Sequence, residues 1–189
     1  MANKDAAFGL KPIGKIGQNA DNNGLSEYDI AASATAIYFQ DAVGMAATGT
    51  ITVAAAGGVL LGSLNGVFFT DANTSKPTFA NHLDASNAAT DIKGFVTDDP
   101  YQRYEVQSDN TGASAQTDIG NVADIVYAAG SSPDYVSKVE LDDSDLATSD
   151  GQLKVIGVSR DPENNDLTSA NVNFVVTINE HFLKQEAGV

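Results

Sequence analysis

Apolar residues in this chain come in runs of four to seven, and a turn residue closes nearly every one. The runs fall at 35–40, 50–53, 58–61, 66–70, 92–97, 104–108, 136–141, 153–159 and 172–178. Between them stand Asn65-Gly66, Asp99-Pro100, Ser132-Pro133-Asp134, Asp150-Gly151 and Asp161-Pro162, all sequences that turn a backbone. Runs this short suit strands better than helices. In the last run Val172, Phe174, Val176 and Ile178 alternate with Asn173, Val175, Thr177 and Asn179, a strand with one strongly apolar side. The spacing predicts an all-β fold, either a barrel or a jelly-roll-like sandwich. At most one short helix fits: Thr117 or Asp118 can cap residues 119–127, where Ile119, Val122 and Val126 share a face. Residues 92–100 and 153–162 echo each other, each an apolar run with an early lysine that ends in Asp-Pro. Equivalent strands of a pseudo-symmetric fold would produce that echo, and so would the ordinary frequency of such turns.

The N-terminal stretch has a different texture. Residues 1–24 carry Lys4, Lys11 and Lys15 against Asp5 and Asp21, a balance of +1, while the remainder of the chain carries −16. Gly9, Gly14, Gly17, Gly24 and Pro12 oppose a helix, and Phe8, Leu10, Ile13 and Ile16 follow no sustained period. The expectation is an extended arm over residues 1–27, outside the compact core of a single β-rich body over residues 28–189. Phe8, Leu10, Lys11, Ile13, Lys15 and Ile16 are its candidate partner contacts. Ordering about 20 residues costs on the order of 20–40 kcal/mol. Burying four apolar side chains returns only about 6–12 kcal/mol. Such an arm therefore needs backbone hydrogen bonds as well, for instance by adding a strand to a sheet edge.

A net charge of −15 sets the electrostatic class. A cation-poor surface gains nothing from counterion release and is repelled by anionic lipid, so neither nucleic acid nor membrane is an expected partner. The absence of cysteine fits folding in a reducing cytoplasm. The first residues contain no signal-peptide core, and the most apolar stretch, 53–64, is interrupted by Gly57, Gly58, Gly62 and Ser63. A soluble protein made in the cytoplasm is expected, and the Asn73-Thr74-Ser75 sequon is then accidental.

Chemistry is thinly provided for. His82 and His181 are the two histidines, there is no thiol, and no nucleophile elbow, phosphate loop, dinucleotide fingerprint or zinc-binding helix occurs. The expectation is no catalytic residue, no cofactor and no metal. Asp142-Asp143-Ser144-Asp145 with Asp150 lacks the central glycine and closing glutamate of an EF-hand. A loose calcium site stays open there, and a solvated acidic loop is the preferred reading.

Residues 96–107, Val-Thr-Asp-Asp-Pro-Tyr-Gln-Arg-Tyr-Glu-Val-Gln, resemble the capsid decoration, or cement, proteins of tailed phages. Ala6-Ala7-Phe8-Gly9-Leu10-Lys11-Pro12 is similar to the arm of that family. Gly66-Val67-Phe68-Phe69 with Ser75-Lys76-Pro77-Thr78-Phe79 resembles its central hairpin. Gln116-Thr117-Asp118-Ile119-Gly120, Val155-Ile156-Gly157, Asp161-Pro162 and Val176-Thr177-Ile178-Asn179 resemble its second half. The resemblance runs through nearly the whole chain in order. It implies a β body with an extended arm that binds the outer capsid surface, contacts a separate major capsid protein and self-associates as a homotrimer or a dimer. Two classes compete: a bacterial surface or adhesin-type β-sandwich, which needs an export route, and a carbohydrate-binding or carbohydrate-active β protein, which usually presents exposed aromatics. The major capsid protein itself is disfavoured by the short chain and the lack of a long spine helix.

Overall fold

The computed structural model describes residues 2–17, 24–109 and 114–184. Among these residues the strands are β1 (Lys11–Lys15), β2 (Ser26–Asp29), β3 (Ala42–Met45), β4 (Ile51–Val53), β5 (Gly62–Thr70), β6 (Pro77–Ala80), β7 (Lys93–Thr97), β8 (Gln102–Gln107), β9 (Val122–Ala123), β10 (Ile125–Val126), β11 (Glu140–Leu141), β12 (Leu153–Val158) and β13 (Asn173–Ile178). Single 3-10 turns lie at Gln116–Asp118 and Phe182–Lys184. The chain is all-β, and its antiparallel sheets pack as a sandwich.

One sheet runs β1-β8-β13-β12-β9; a second runs β2-β7-β5-β3-β4 with β6 added to β5; β10 and β11 form a small third. A single bridge between Ile30 and Ile51 brings the two end strands of the second sheet together. The sheet stays open, which decides for the sandwich over the barrel. The echoing segments become β7 and β12, each the second strand from an end of its own sheet.

Two apolar clusters hold these layers. One lies on the five-stranded sheet and joins Tyr104, Val106, Leu153, Val155, Phe174, Val176 and Ile178 to Leu141 and Ile125 of the small sheet. The other lies beneath the six-stranded sheet and includes Ile30, Val43, Ile51, Leu64, Val67, Phe69 and Val96. Neighbouring residues in extended backbone serve both clusters, in β3 and just before β5, since side chains alternate across a sheet. Ala42 and Leu60 face the first, Val43 and Leu61 the second. Buried Tyr104 of β8 donates its hydroxyl to the Thr97 carbonyl of β7 at 2.8 Å, which ties the two large sheets together.

Two expectations are corrected. Residues 119–127 form β9 and β10 instead of a helix. Gly120 adopts φ +105, which turns the chain just after the 3-10 turn, and Val122 and Ala123 pair with Lys154 and Leu153. That pairing buries both residues, which a short exposed helix could not do. The N-terminal segment is extended, as its glycines require, but residues 3–17 are packed on the body. Leu10 is fully buried in the first cluster, and β1 pairs with β8. Gly9 makes the approach possible: at φ +78, a Cβ there would lie 2.4 Å from the Gln40 carbonyl oxygen and 2.5 Å from Ser137 Cβ. Upstream, Asn164 and Gln107 both donate side-chain amides to the Lys4 carbonyl, and Ala6 N–H donates to Gln107.

Candidate subunit interfaces

The six N-terminal residues singled out by sequence separate into two groups. Leu10 is consumed by the core; its N–H donates to Gln40 and its carbonyl accepts from Ser63 Oγ at 2.6 Å. Lys11 pairs with Glu105 at 3.2 Å, with its ammonium 5.8 Å from the centre of the half-buried Phe8 ring. Lys15 pairs with Asp99 at 2.7 Å, and this pairing holds the Asp99 carboxyl below the usual range. These groups are spent inside the molecule.

Ile13 and Ile16 are different: they are 40% and 49% exposed. Ile16 N–H donates to the Tyr101 carbonyl at 2.9 Å. Tyr101 is itself 61% exposed, and its ring lies 4.7 Å beneath the Lys184 ammonium; Leu183, which precedes that lysine in the chain, is 52% exposed. The backbone just past β1 thus meets the turn at Tyr101, and the Lys184 side chain from the C-terminal 3-10 turn reaches the same tyrosine ring. Tyr101 and Leu183 were missed by sequence reasoning. Tyr101 reads as part of a turn and Leu183 as the tail of the last strand, and only the fold brings Tyr101 to Ile16 and the residue after Leu183 to Tyr101.

The strand edge at this point is a poor template for another strand. Pro12 lacks an N–H, the register with β8 slips between Pro12 and Gly14, and lysines stand at both ends. Proline, bulge and lysine are the devices that protect a sheet edge from pairing. Side chains, not backbone, are what this edge offers.

A second surface lies on the outer face of the six-stranded sheet. The register fixes which residues lie side by side. Asp29, Lys93, Phe68 and Phe79 form one row across β2, β7, β5 and β6, and Glu27, Phe95 and Gly66 form the next. Phe68 and Phe79 are 4.8 Å apart by ring centre, and Phe79 stacks on Phe95 at 5.9 Å. Gly66 lies opposite Phe95 and has no side chain to stand between the two rings. Phe79 is 75% exposed. Lys93 sits between Asp29 at 2.6 Å and Glu27 at 3.4 Å, which raises its pKa through those hydrogen bonds. At the other end of the same face, Ala42 and Leu60 are covered by the first cluster, and Ser63 is covered by the N-terminal segment. The sandwich therefore covers only part of this face and leaves the aromatic part bare. The sequence held one signal: consecutive Phe68 and Phe69 in a strand must place their rings on opposite faces.

The titratable groups are placed as follows. His181 is fully buried, receives the Leu183 N–H on Nδ1 at 3.1 Å, and has a pKa lowered by burial. His82 is stacked on Tyr135 at 3.7 Å and hydrogen-bonds Asn81. Asp41 is buried; it accepts the Tyr38 N–H at 2.7 Å, and burial pushes it up to about 6. Glu140 lines a cleft of about 570 Å³ with Asp5, Asp134 and Lys138. Burial, then Asp5, Asp109 and Asp143, push its carboxyl up to about 7. In the acidic loop, Asp142 Oδ1 accepts from both the N–H and the hydroxyl of Ser144, and Asp145 accepts the Asp124 N–H. Among the described residues no group of three or more histidines, aspartates and glutamates is arranged to hold a metal ion.

Compared with protein-family models, curated proteins and solved structures, the chain finds no match.

Proposed function

We propose that the protein decorates the outer surface of a tailed-phage head, where it binds the major capsid protein and strengthens contacts between its subunits. The observation that carries this reading is the exposure of Ile16 and Tyr101, two apolar side chains whose backbones are joined by a hydrogen bond just past the N-terminal strand. On a chain of net charge −15, grouped apolar side chains mark a protein contact more readily than a site for a polyanion. The resemblance along the chain supports the same reading, as does an all-β sandwich on which residues 3–17 already pack in extended form. Ordering beforehand matters energetically. The segment's conformational entropy is lost during folding, so binding need not offset it again. Attachment then rests on the exposed side chains and on the number of copies engaged at once.

Ile16→Asp and Tyr101→Ser change exposed positions and leave the core intact. Both variants are expected to keep the wild-type melting temperature and to lose at least tenfold in affinity for particles that lack the protein, read by co-sedimentation. Wild-type protein that stays in the supernatant over such particles refutes the reading.

A further inference from the structure

We infer that the outer face of the five-stranded sheet binds an acidic, extended segment of a partner protein through Arg103 and Lys154. The inference goes beyond the proposed attachment to a coat, since it holds for any partner that carries such a segment.

Strand register places the two cations. Tyr104, Val176 and Val155 are partners across β8, β13 and β12, and all three belong to the first cluster. Their chain neighbours Arg103, Thr177 and Lys154 form the next row and point the opposite way. With strands about 4.8 Å apart, the Cα atoms of Arg103 and Lys154 are roughly 10 Å apart, and the short side chain of Thr177 stands between them. Gly14 continues the row into β1 and leaves room for the guanidinium: a Cβ there would lie 3.3 Å from Arg103 Nη2. Lys154 is exposed and Arg103 half-buried, and among the described residues neither has an ion-pair partner. Arg103 Nε is buried without a hydrogen bond. A charged group desolvated in this way is costly until something of opposite sign approaches, and an anion seated on the row offsets that cost by attraction to the whole guanidinium.

The acid that shares this face on β8 is Glu105, and it is engaged: Lys11 pairs with it at 3.2 Å, and Ser159 donates its hydroxyl to it. Arg103 and Lys154 therefore remain as two positive charges on one face of a chain of net charge −15. At physiological ionic strength the Debye length is about 8 Å, so a group touching the row feels these cations more than carboxylates beyond that distance. A nucleic acid or an anionic membrane would instead bring a broad negative field against the acidic remainder. Apolar neighbours also favour a protein segment. Ile13, where β1 slips against β8, and Ile156, where β12 slips against β13, are both exposed, one on each side of the row. The far end of the same face shows how such a segment can lie. There the Gln107 amide donates to the Lys4 carbonyl and accepts the Ala6 N–H, so the sheet already seats one extended stretch of chain.

The test is fluorescence anisotropy of the full chain with a short labelled peptide of alternating aspartate and valine, beside the same peptide with asparagine for aspartate, at an ionic strength of about 0.15 M. The expected result is saturable binding of the aspartate peptide, at least tenfold tighter than of the asparagine one. Lys154→Gln, a change at an exposed position, and Arg103→Gln should each weaken it at least threefold, with circular dichroism and melting temperature showing that both fold. Lys76→Gln, beside β6 of the other sheet, should leave it unchanged. An aspartate peptide that does not bind overturns the inference, as does binding that Lys154→Gln leaves unaltered. Competition by inorganic phosphate, an oligonucleotide or phosphatidylserine vesicles as strong as that of the unlabelled peptide also overturns it, because the face would then accept any anion. No particle enters this measurement, and coat attachment is read separately with the Ile16 and Tyr101 variants, so failure of one proposal does not mimic failure of the other.

Discussion

Asp41 has no solvent exposure, and among the described residues no cation pairs with it. One carboxylate oxygen accepts the Tyr38 N–H, and burial raises the carboxyl's pKa by more than the Ser137 side chain and that N–H lower it. Burial disfavours the charged form, so the carboxyl titrates near 6 in the fold against 3.8 outside it. Between those two values the folded protein holds a proton that the unfolded chain has released. Stability from this group is therefore full below about pH 4 and is lost as pH rises through 6. The shift corresponds to a contribution on the order of 3 kcal/mol. Asp41→Asn removes the titration and keeps an acceptor for Tyr38. The stability of the variant relative to wild type should rise by about that amount from pH 4 to pH 7, measured by urea unfolding at each pH. A difference that stays constant across that range contradicts the assignment. His181 acts in the opposite sense: its pKa is lowered by burial, so its contribution is lost as pH falls below 6.5. Comparing variant with wild type at each pH cancels that contribution.

Among the elements, β1 shows how a glycine- and proline-rich segment becomes structural. It buries no apolar stripe of its own, yet it covers the edge of β8 and delivers Leu10 to the core. Removing residues 2–15 should therefore destabilise the body by roughly 3–5 kcal/mol, the range for a vacated buried leucine together with lost hydrogen bonds, seen as a lower urea midpoint. Unchanged stability would mean the segment adds little to the fold. The strands β5, β7, β8, β12 and β13 were legible because each has five or more residues and apolar positions bounded by turns. β1, β2 and β6 were not, because their burial is slight and their alternation is half polar. The Ile119–Val122–Val126 spacing imitated a helix face, but pairing with β12 and the turn at Gly120 overrode it. The exposed aromatics were the least legible. Phe69 and Phe79 carry the same side chain, and whether one is buried and the other bare depends on which part of the sheet the rest of the sandwich covers.

At the scale of the whole molecule, a strongly acidic sandwich presents two apolar surfaces on different sheets. One is at Ile16 and Tyr101, which the proposed function turns toward the coat; the other is around Phe79. Under the proposed function, a subunit with more than one such surface can bridge neighbouring capsid proteins. Several weak contacts made together then hold better than any one alone. Under the same proposal, the acidic remainder would repel the packaged genome. The claim on which this account depends is the location of the protein, and cryo-electron microscopy of purified particles reads it most directly. The account predicts density for this sandwich on the outside of the head, over contacts between coat subunits, with the Ile16 surface facing inward. Particles whose outer surface lacks that density would contradict it.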